Sequence, residues 1–209
     1  MLIIYFCLFA RYKLEVKNLD IVDHSDNNKR ENGKAAVDYP ALLNKFKIEF
    51  DPEVKTSILY QKIVDTAVEI MGSQNATMQI LYPDPGRWGK LLIVASHGFS
   101  PEAEKYWEWV YHYTSSSCSQ ALKTRRRVLV PDYRTAEFMR NSPTLSVFIE
   151  GGIFAAQSTP IYSKTGVMLR MISTHWDAPH TPEKYQLDLI DVLSFQAADL
   201  LERSSGVEP

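Results

Sequence analysis

The run Thr114-Ser115-Ser116-Ser117 leads directly into Cys118, placing hydroxyls and a thiol side by side. Hydroxyls beside the free amide hydrogens of a helix N-terminus can receive an anionic or polar ligand. They can equally cap that helix, with one serine accepting from the first turn and the others in loop. Trp107, Tyr111, Tyr133, Phe138 and Phe154 offer aromatic walls for such a site, although aromatic side chains also build cores. Gln157 and Thr159 fall on one face of a strand and Ser158 on the other, which adds polar groups. A concave, mostly apolar site with a few polar groups is the usual form of a small-molecule pocket. The candidate ligand-binding residues are therefore Trp107, Tyr111, Ser115, Ser117, Cys118, Tyr133, Phe138, Phe154, Gln157 and Thr159.

Catalytic and metal chemistry find less to stand on. There is no Gly-x-Ser-x-Gly elbow and no Walker motif. His175-x-Asp177-x-x-His180 superficially resembles a metal cluster, but Pro179 prevents the regular structure that would align it. His175 is expected to end a strand and His180 to lie near the next helix start. Neither a catalytic set nor a metal site is expected. Cys7 and Cys118 are far apart and lack metal-ligand spacing, which points to a reducing, cytoplasmic compartment. The sequon Asn75-Ala76-Thr77 then has no meaning. A formal net charge of −2 gives no reason to expect nucleic acid or an anionic membrane as partner. The basic run Lys123-Thr124-Arg125-Arg126-Arg127 leads into Val128-Leu129-Val130 and reads as a solvated approach to a strand.

The elements that must position these residues follow from periodicity. A chain of 209 residues is one domain plus extensions, long enough to bury a core without disulfides. Met1–Ala10 is apolar but about half the length that spans a bilayer, and no basic residues precede it. It reads as a mis-assigned start, a segment packed on the domain, or the stub of a membrane segment; no membrane insertion is expected. Residues 1–50 are taken as this segment plus a polar, poorly ordered linker. Order is expected from Asp51, capping a helix with Pro52 at its first position. Leu59, Ile63, Ala67 and Ile70 share one face of that helix, and Gly72 stops it. Asn75–Tyr82 and Lys90–His97 read as strands around the turn Pro83-Asp84-Pro85-Gly86. Pro101–Tyr113 reads as helix with Ala103, Trp107, Val110 and Tyr111 on one face. Ser117–Thr124 follows as a short helix, Val128–Val130 as a strand and Pro143–Glu150 as a helix ended by Gly151-Gly152. Two strands, Phe154–Ile161 and Val167–Trp176, flank the turn Ser163-Lys164-Thr165-Gly166. Last, Pro182–Arg203 is an amphipathic helix of about 30 Å. It should bury Leu189, Val192, Leu193, Gln196, Ala197 and Leu200.

The wording Gln157-Ser158-Thr159-Pro160, then Ser173-Thr174-His175-Trp176 and the closing helix, resembles the GAF domains of bacterial sensor histidine kinases. Gln79-Ile80-Leu81, Leu91–Phe99, the Cys118–Leu122 helix and the Val128–Asp132 strand add to a resemblance over Val54–Arg203. One departure is Arg170, where the family usually has glycine. The resemblance implies an α+β domain over 51–204 with a tail at 205–209. Its central antiparallel sheet would have five to six strands, with the N- and C-terminal helices on one face and short helices and loops over the other. It implies a sensory or regulatory domain of two-component signalling that binds a small ligand and signals through flanking helices. Partners would be a second copy, joined through those helices, and a histidine kinase or other signalling protein. No kinase transmitter is present in the sequence, so output is expected by association, and no enzymatic activity is expected. A ligand-free dimerisation module, remnant of a longer sensor kinase, is the alternative. A redox enzyme using Cys118 comes third, because methionine sulfoxide reductases of this fold need several cysteines. No cofactor is evident, and the ligand is an unknown small molecule. Asn44-Lys45 and Phe50-Asp51 lie upstream and mis-spaced for the family's cyclic-nucleotide signature, and Cys118 lacks the histidine motif of bilin attachment.

Overall fold

The computed structural model describes residues 37–82 and 89–205. The apolar start, the polar stretch after it, the 83–86 turn and residues 206–209 lie outside the described residues. Order begins earlier than the sequence reading placed it. Helix α1, Tyr39–Lys45, starts at Asp38, whose Oδ1 accepts from Ala41 N at 3.0 Å. Behind it Phe46 is buried, Ile48 and Phe50 pack on the same core, and Ile48 N donates to Gln196 Oε1 at 3.1 Å. These apolar residues are diluted by charges, so their window looks like linker until a partner surface is supplied. Asp51 does not cap a helix. Its carboxylate accepts from Glu53 N in a tight turn, and α2, Thr56–Met71, starts after Lys55 without a side-chain cap. It ends at Gly72 in the left-handed region.

Six strands follow: β1 Asn75–Tyr82, β2 Lys90–His97, β3 Trp109–Tyr111, β4 Val128–Val130, β5 Ala155–Tyr162 and β6 Met168–Trp176. They form one antiparallel sheet in the order β3-β2-β1-β6-β5-β4. The expected Pro101–Tyr113 helix is cut short. Helix α3 covers Pro101–Trp107, and Trp109–Tyr111 then pairs with Lys90–Leu92 at the sheet edge. Val110 is buried either way, so its apolar spacing suited both readings; the strand wins because it satisfies the backbone of β2.

Each face of the sheet is covered differently. On one face Ala76, Met78, Ile172 and Trp176 pack under α2 and under α6, Lys184–Ser205. Leu59, Ile63, Ala67 and Ile70 are buried on α2. On α6 Leu189, Leu193, Ala197 and Leu200 are buried, Val192 and Gln196 only partly, and Ile190 and Leu201 join them. Each fully buried leucine or isoleucine among them contributes about 1.5–3 kcal/mol. Arg170 takes advantage of the missing glycine: its guanidinium sits 5.0 Å from the Tyr60 ring centroid, bonds the Tyr60 hydroxyl and so ties β6 to α2. The other face carries α3, α4 (Ser117–Thr124), a short 3-10 turn at Glu137–Met139 and α5 (Thr144–Glu150). Among the described residues no helix is long and apolar enough to cross a membrane.

Candidate functional site

The site lies between the second face of the sheet and α3, α4 and α5. Strand register builds its floor. Thr77 pairs with Ser173 and Ser173 with Ser158, so β1, β6 and β5 present a row of hydroxyls on one face, with Gln79 and His175 at diagonal positions. Ser116, not Ser117, caps α4: its Oγ accepts from Ser119 N at 3.2 Å, and the Ser119 hydroxyl answers in a capping box. That arrangement frees Ser117 for the floor. Tyr133 Oη donates to Ser117 Oγ at 3.1 Å, Ser117 Oγ lies 2.8 Å from Ser158 Oγ, and Ser158 Oγ lies 2.7 Å from Ser173 Oγ. Ser173 reaches Gln79 Oε1 at 3.5 Å. Buried polar atoms are ordinarily satisfied in this way.

Two are not. Thr77 Oγ1 and His175 Nδ1 are buried and have no hydrogen-bond partner among the described residues. Their residues line a cavity of about 20 Å³, together with Gln79, Ser117, Cys118 and Trp107, which is room for one water-sized molecule. None of the described residues lining it is charged. Burial lowers the His175 pKa to about 4, so its imidazole is neutral near pH 7. Burial likewise pushes up the Cys118 thiol, whose Sγ lies 3.2 Å from Ser116 Oγ, and the Tyr133 phenol. The roof is a stack of three rings. Phe148 lies between Trp107, at 4.6 Å and 18°, and Tyr133, at 4.3 Å and 9°.

Of the candidates read from sequence, Trp107, Ser117, Cys118 and Tyr133 come together at this cavity. Phe138 packs edge-on behind Tyr133 at 6.5 Å, and Phe154 lies under the Arg134 guanidinium. Tyr111 stacks on Tyr113 at the sheet edge, and Ser115 stands one residue before the cap. Gln157 and Thr159 are buried on the opposite face, toward α6. Thr174 Oγ1 donates to Gln157 Oε1 at 3.2 Å, Gln157 bonds Thr159, and Arg127 Nε donates to Thr159 Oγ1 at 3.0 Å while also pairing with Asp191 of α6. Burial raises the Asp191 pKa against the opposing pull of Arg127. Sequence reasoning did not single out Thr77, Gln79, Phe148 or Ser173 for the site, and read His175 only as a strand end. The polar phase of β1, Thr77 and Gln79, was a usable signal once both faces of the sheet are known to be covered.

A family model for the GAF domain matches residues 56–202. The chain belongs to the GAF domain family. Solved structures agree in fold. A domain of a two-component sensor histidine kinase from Sinorhizobium meliloti aligns with a TM-score of 0.58 at 16% identity, over 73% of this chain and 94% of that one. The GAF domain of an Acinetobacter phosphoenolpyruvate-protein phosphotransferase aligns at 0.59 and 10% identity, over 80% and 92%. A free methionine-R-sulfoxide reductase from Neisseria meningitidis, solved with its substrate, aligns at 0.58 and 13% identity, over 81% and 89%. No curated protein matches the sequence. At these identities the likeness of this GAF domain to the solved structures is one of fold, and its neighbours include both sensory domains and an enzyme.

Proposed function

We propose that this GAF domain is a sensory module that holds one small, uncharged, polar molecule against Thr77 and His175 and reports its presence through α2 and α6. The observation that carries this reading is that two residues of the cavity wall, Thr77 and His175, each hold a buried polar atom without a partner among the described residues. Each such orphan costs about 1–3 kcal/mol, and of the seven among the described residues only Thr77 and His175 belong to residues that line this cavity. A ligand donor and acceptor would recover that cost. An uncharged ligand fits because the described lining holds no ion to compensate a charge. A non-catalytic role fits the buried, protonated Cys118 and a His175 without a carboxylate partner among the described residues. The polar layer Gln157–Thr159–Arg127–Asp191 offers a route from β5 to α6. Ile58 and Phe195 are large apolar residues exposed on α2 and α6, as pairing with a second copy or with a kinase helix would use.

The small volume of the cavity favours a second reading, in which the aromatic stack fills the pocket and the domain acts only as a ligand-free interaction module. Native mass spectrometry of the full chain, after incubation with a small-metabolite extract, separates the two. A non-covalent adduct of discrete mass that is lost in Thr77→Val supports the sensory reading. A bare chain or bare dimer under the same conditions moves the assignment to the interaction module.

A further inference from the structure

Phe148 occupies an unusual place in this fold. Its ring is the middle layer of a three-ring sandwich, nearly parallel to Tyr133 and close to parallel to Trp107. It also lines the cavity together with Thr77 and His175, whose Oγ1 and Nδ1 have no partner among the described residues. Helix α5, which delivers it, is weakly held. The helix has seven residues, no side-chain N-cap, and Phe148 as its one buried residue. A helix this short has almost no stability of its own. Both ends are turns in the left-handed region, Asn141 at φ 60° before it and Gly152 at φ 71° after it. These two turns, rather than strand pairing, join the helix to the chain on either side.

Resting on the sensory reading above, we infer that Phe148 is an internal stand-in for the ligand, which is a neutral, planar, single-ring compound with a polar edge that displaces Phe148 from between Trp107 and Tyr133. Planarity follows from the two parallel walls, which accept one ring between them and reward stacking. Neutrality follows from the uncharged lining. The polar edge follows from Thr77 and His175 on the same wall, whose Oγ1 and Nδ1 have no partner among the described residues. Displacing Phe148 frees α5, so occupancy becomes release of a surface helix.

Isothermal titration of the full chain and of Phe148→Ala, each with uracil and with toluene, tests this. Uracil is a flat neutral ring with amide edges; toluene is a flat ring with none. Apparent affinity falls with the fraction of time a site is open, so Phe148→Ala should bind uracil about tenfold more tightly than the unsubstituted chain. Adding Thr77→Val should then weaken uracil about tenfold and leave toluene unchanged. Phe148→Leu, apolar but not planar, serves with the same expectation if Phe148→Ala fails to fold by circular dichroism. Equal uracil affinity with and without Phe148 overturns the stand-in while the ligand pocket remains. A folded variant that prefers toluene and ignores Thr77→Val overturns the ligand class, since the slot is then only a void. So does a discrete-mass adduct that proves charged or non-planar, an outcome that upholds the sensory reading itself.

Discussion

Acid should destabilise this domain through His175. The imidazole is buried at the end of β6, edge-on to Phe99 at 5.6 Å, with no ion among the described residues of its cavity. Burial alone lowers its pKa from an ordinary 6.5 to about 4. Between those values the unfolded chain takes up a proton that the folded chain refuses, so stability falls as pH drops through 6.5 and the loss is complete only near 4. At about 1.4 kcal/mol for each pH unit, roughly 2 kcal/mol is lost by pH 5 and roughly 3 kcal/mol by pH 4. Against a typical domain stability of about 5–15 kcal/mol that is a large fraction. Urea titrations of the unsubstituted chain and of His175→Gln at steps from about pH 7.5 to pH 5 read it directly. Carboxylates titrate alike in both proteins, so the difference isolates His175. The unsubstituted chain should show the steeper loss below pH 6.5, and His175→Gln should be flatter by about 2 kcal/mol at pH 5. Parallel curves would refute the reasoning, because they would mean that the imidazole keeps solvent or a counter-charge in the folded state.

Four further outcomes are expected. Leu193→Asp should abolish the cooperative unfolding transition, because it puts an unpaired carboxylate at a 1% exposed position between α6 and the sheet; a normal thermal melt would show that α6 docks by another face. Ser116→Ala should cost about 1 kcal/mol in urea denaturation as a lost cap. Ser117→Ala should cost about 1–3 kcal/mol for a different reason, removing the acceptor of the Tyr133 hydroxyl and leaving Ser158 Oγ with Ser173 alone; if Ser117→Ala in a Tyr133→Phe background costs as much as it does alone, the hydroxyl chain has no energetic meaning. Gly98→Ala should destabilise by about 1–3 kcal/mol, since φ there is 78° and an added Cβ would collide with the Gln74 carbonyl; an unchanged urea midpoint would show that the turn relaxes freely.

Local patterns read well where one short-range cause dominated. Leu59, Ile63, Ala67 and Ile70 fall at helical spacing and pack as that spacing demands, and β1, β2, α4 and β4 lie where alternation and turn residues place them. Gly72 stops α2 because few other residues accept its left-handed backbone. Reading failed where the deciding partner is distant in sequence. Trp109–Tyr111 carries spacing fit for a helix, yet pairs with β2, since an open strand edge some twenty residues upstream needs its backbone groups filled. Residues 46–50 look like linker until Gln196 and the α6 core receive them.

The candidate site divides along the same line. Residue types alone pointed to hydroxyls before Cys118 and to aromatic walls, and Trp107, Ser117, Cys118 and Tyr133 do meet. Which serine caps and which joins the floor depended on Tyr133 and Ser158 arriving from elsewhere. Strand alternation separated Ser158 from Gln157 and Thr159, but could not say which side faced the cavity, because both faces of the sheet are covered and both phases of β5 are buried. The amino-acid order thus determined most of the elements, the family and the chemical inventory, where these rest on neighbours within a few turns of chain. The cavity, its two unpartnered polar atoms and the ring that fills its roof came only from packing, where burial is decided by groups far apart in sequence.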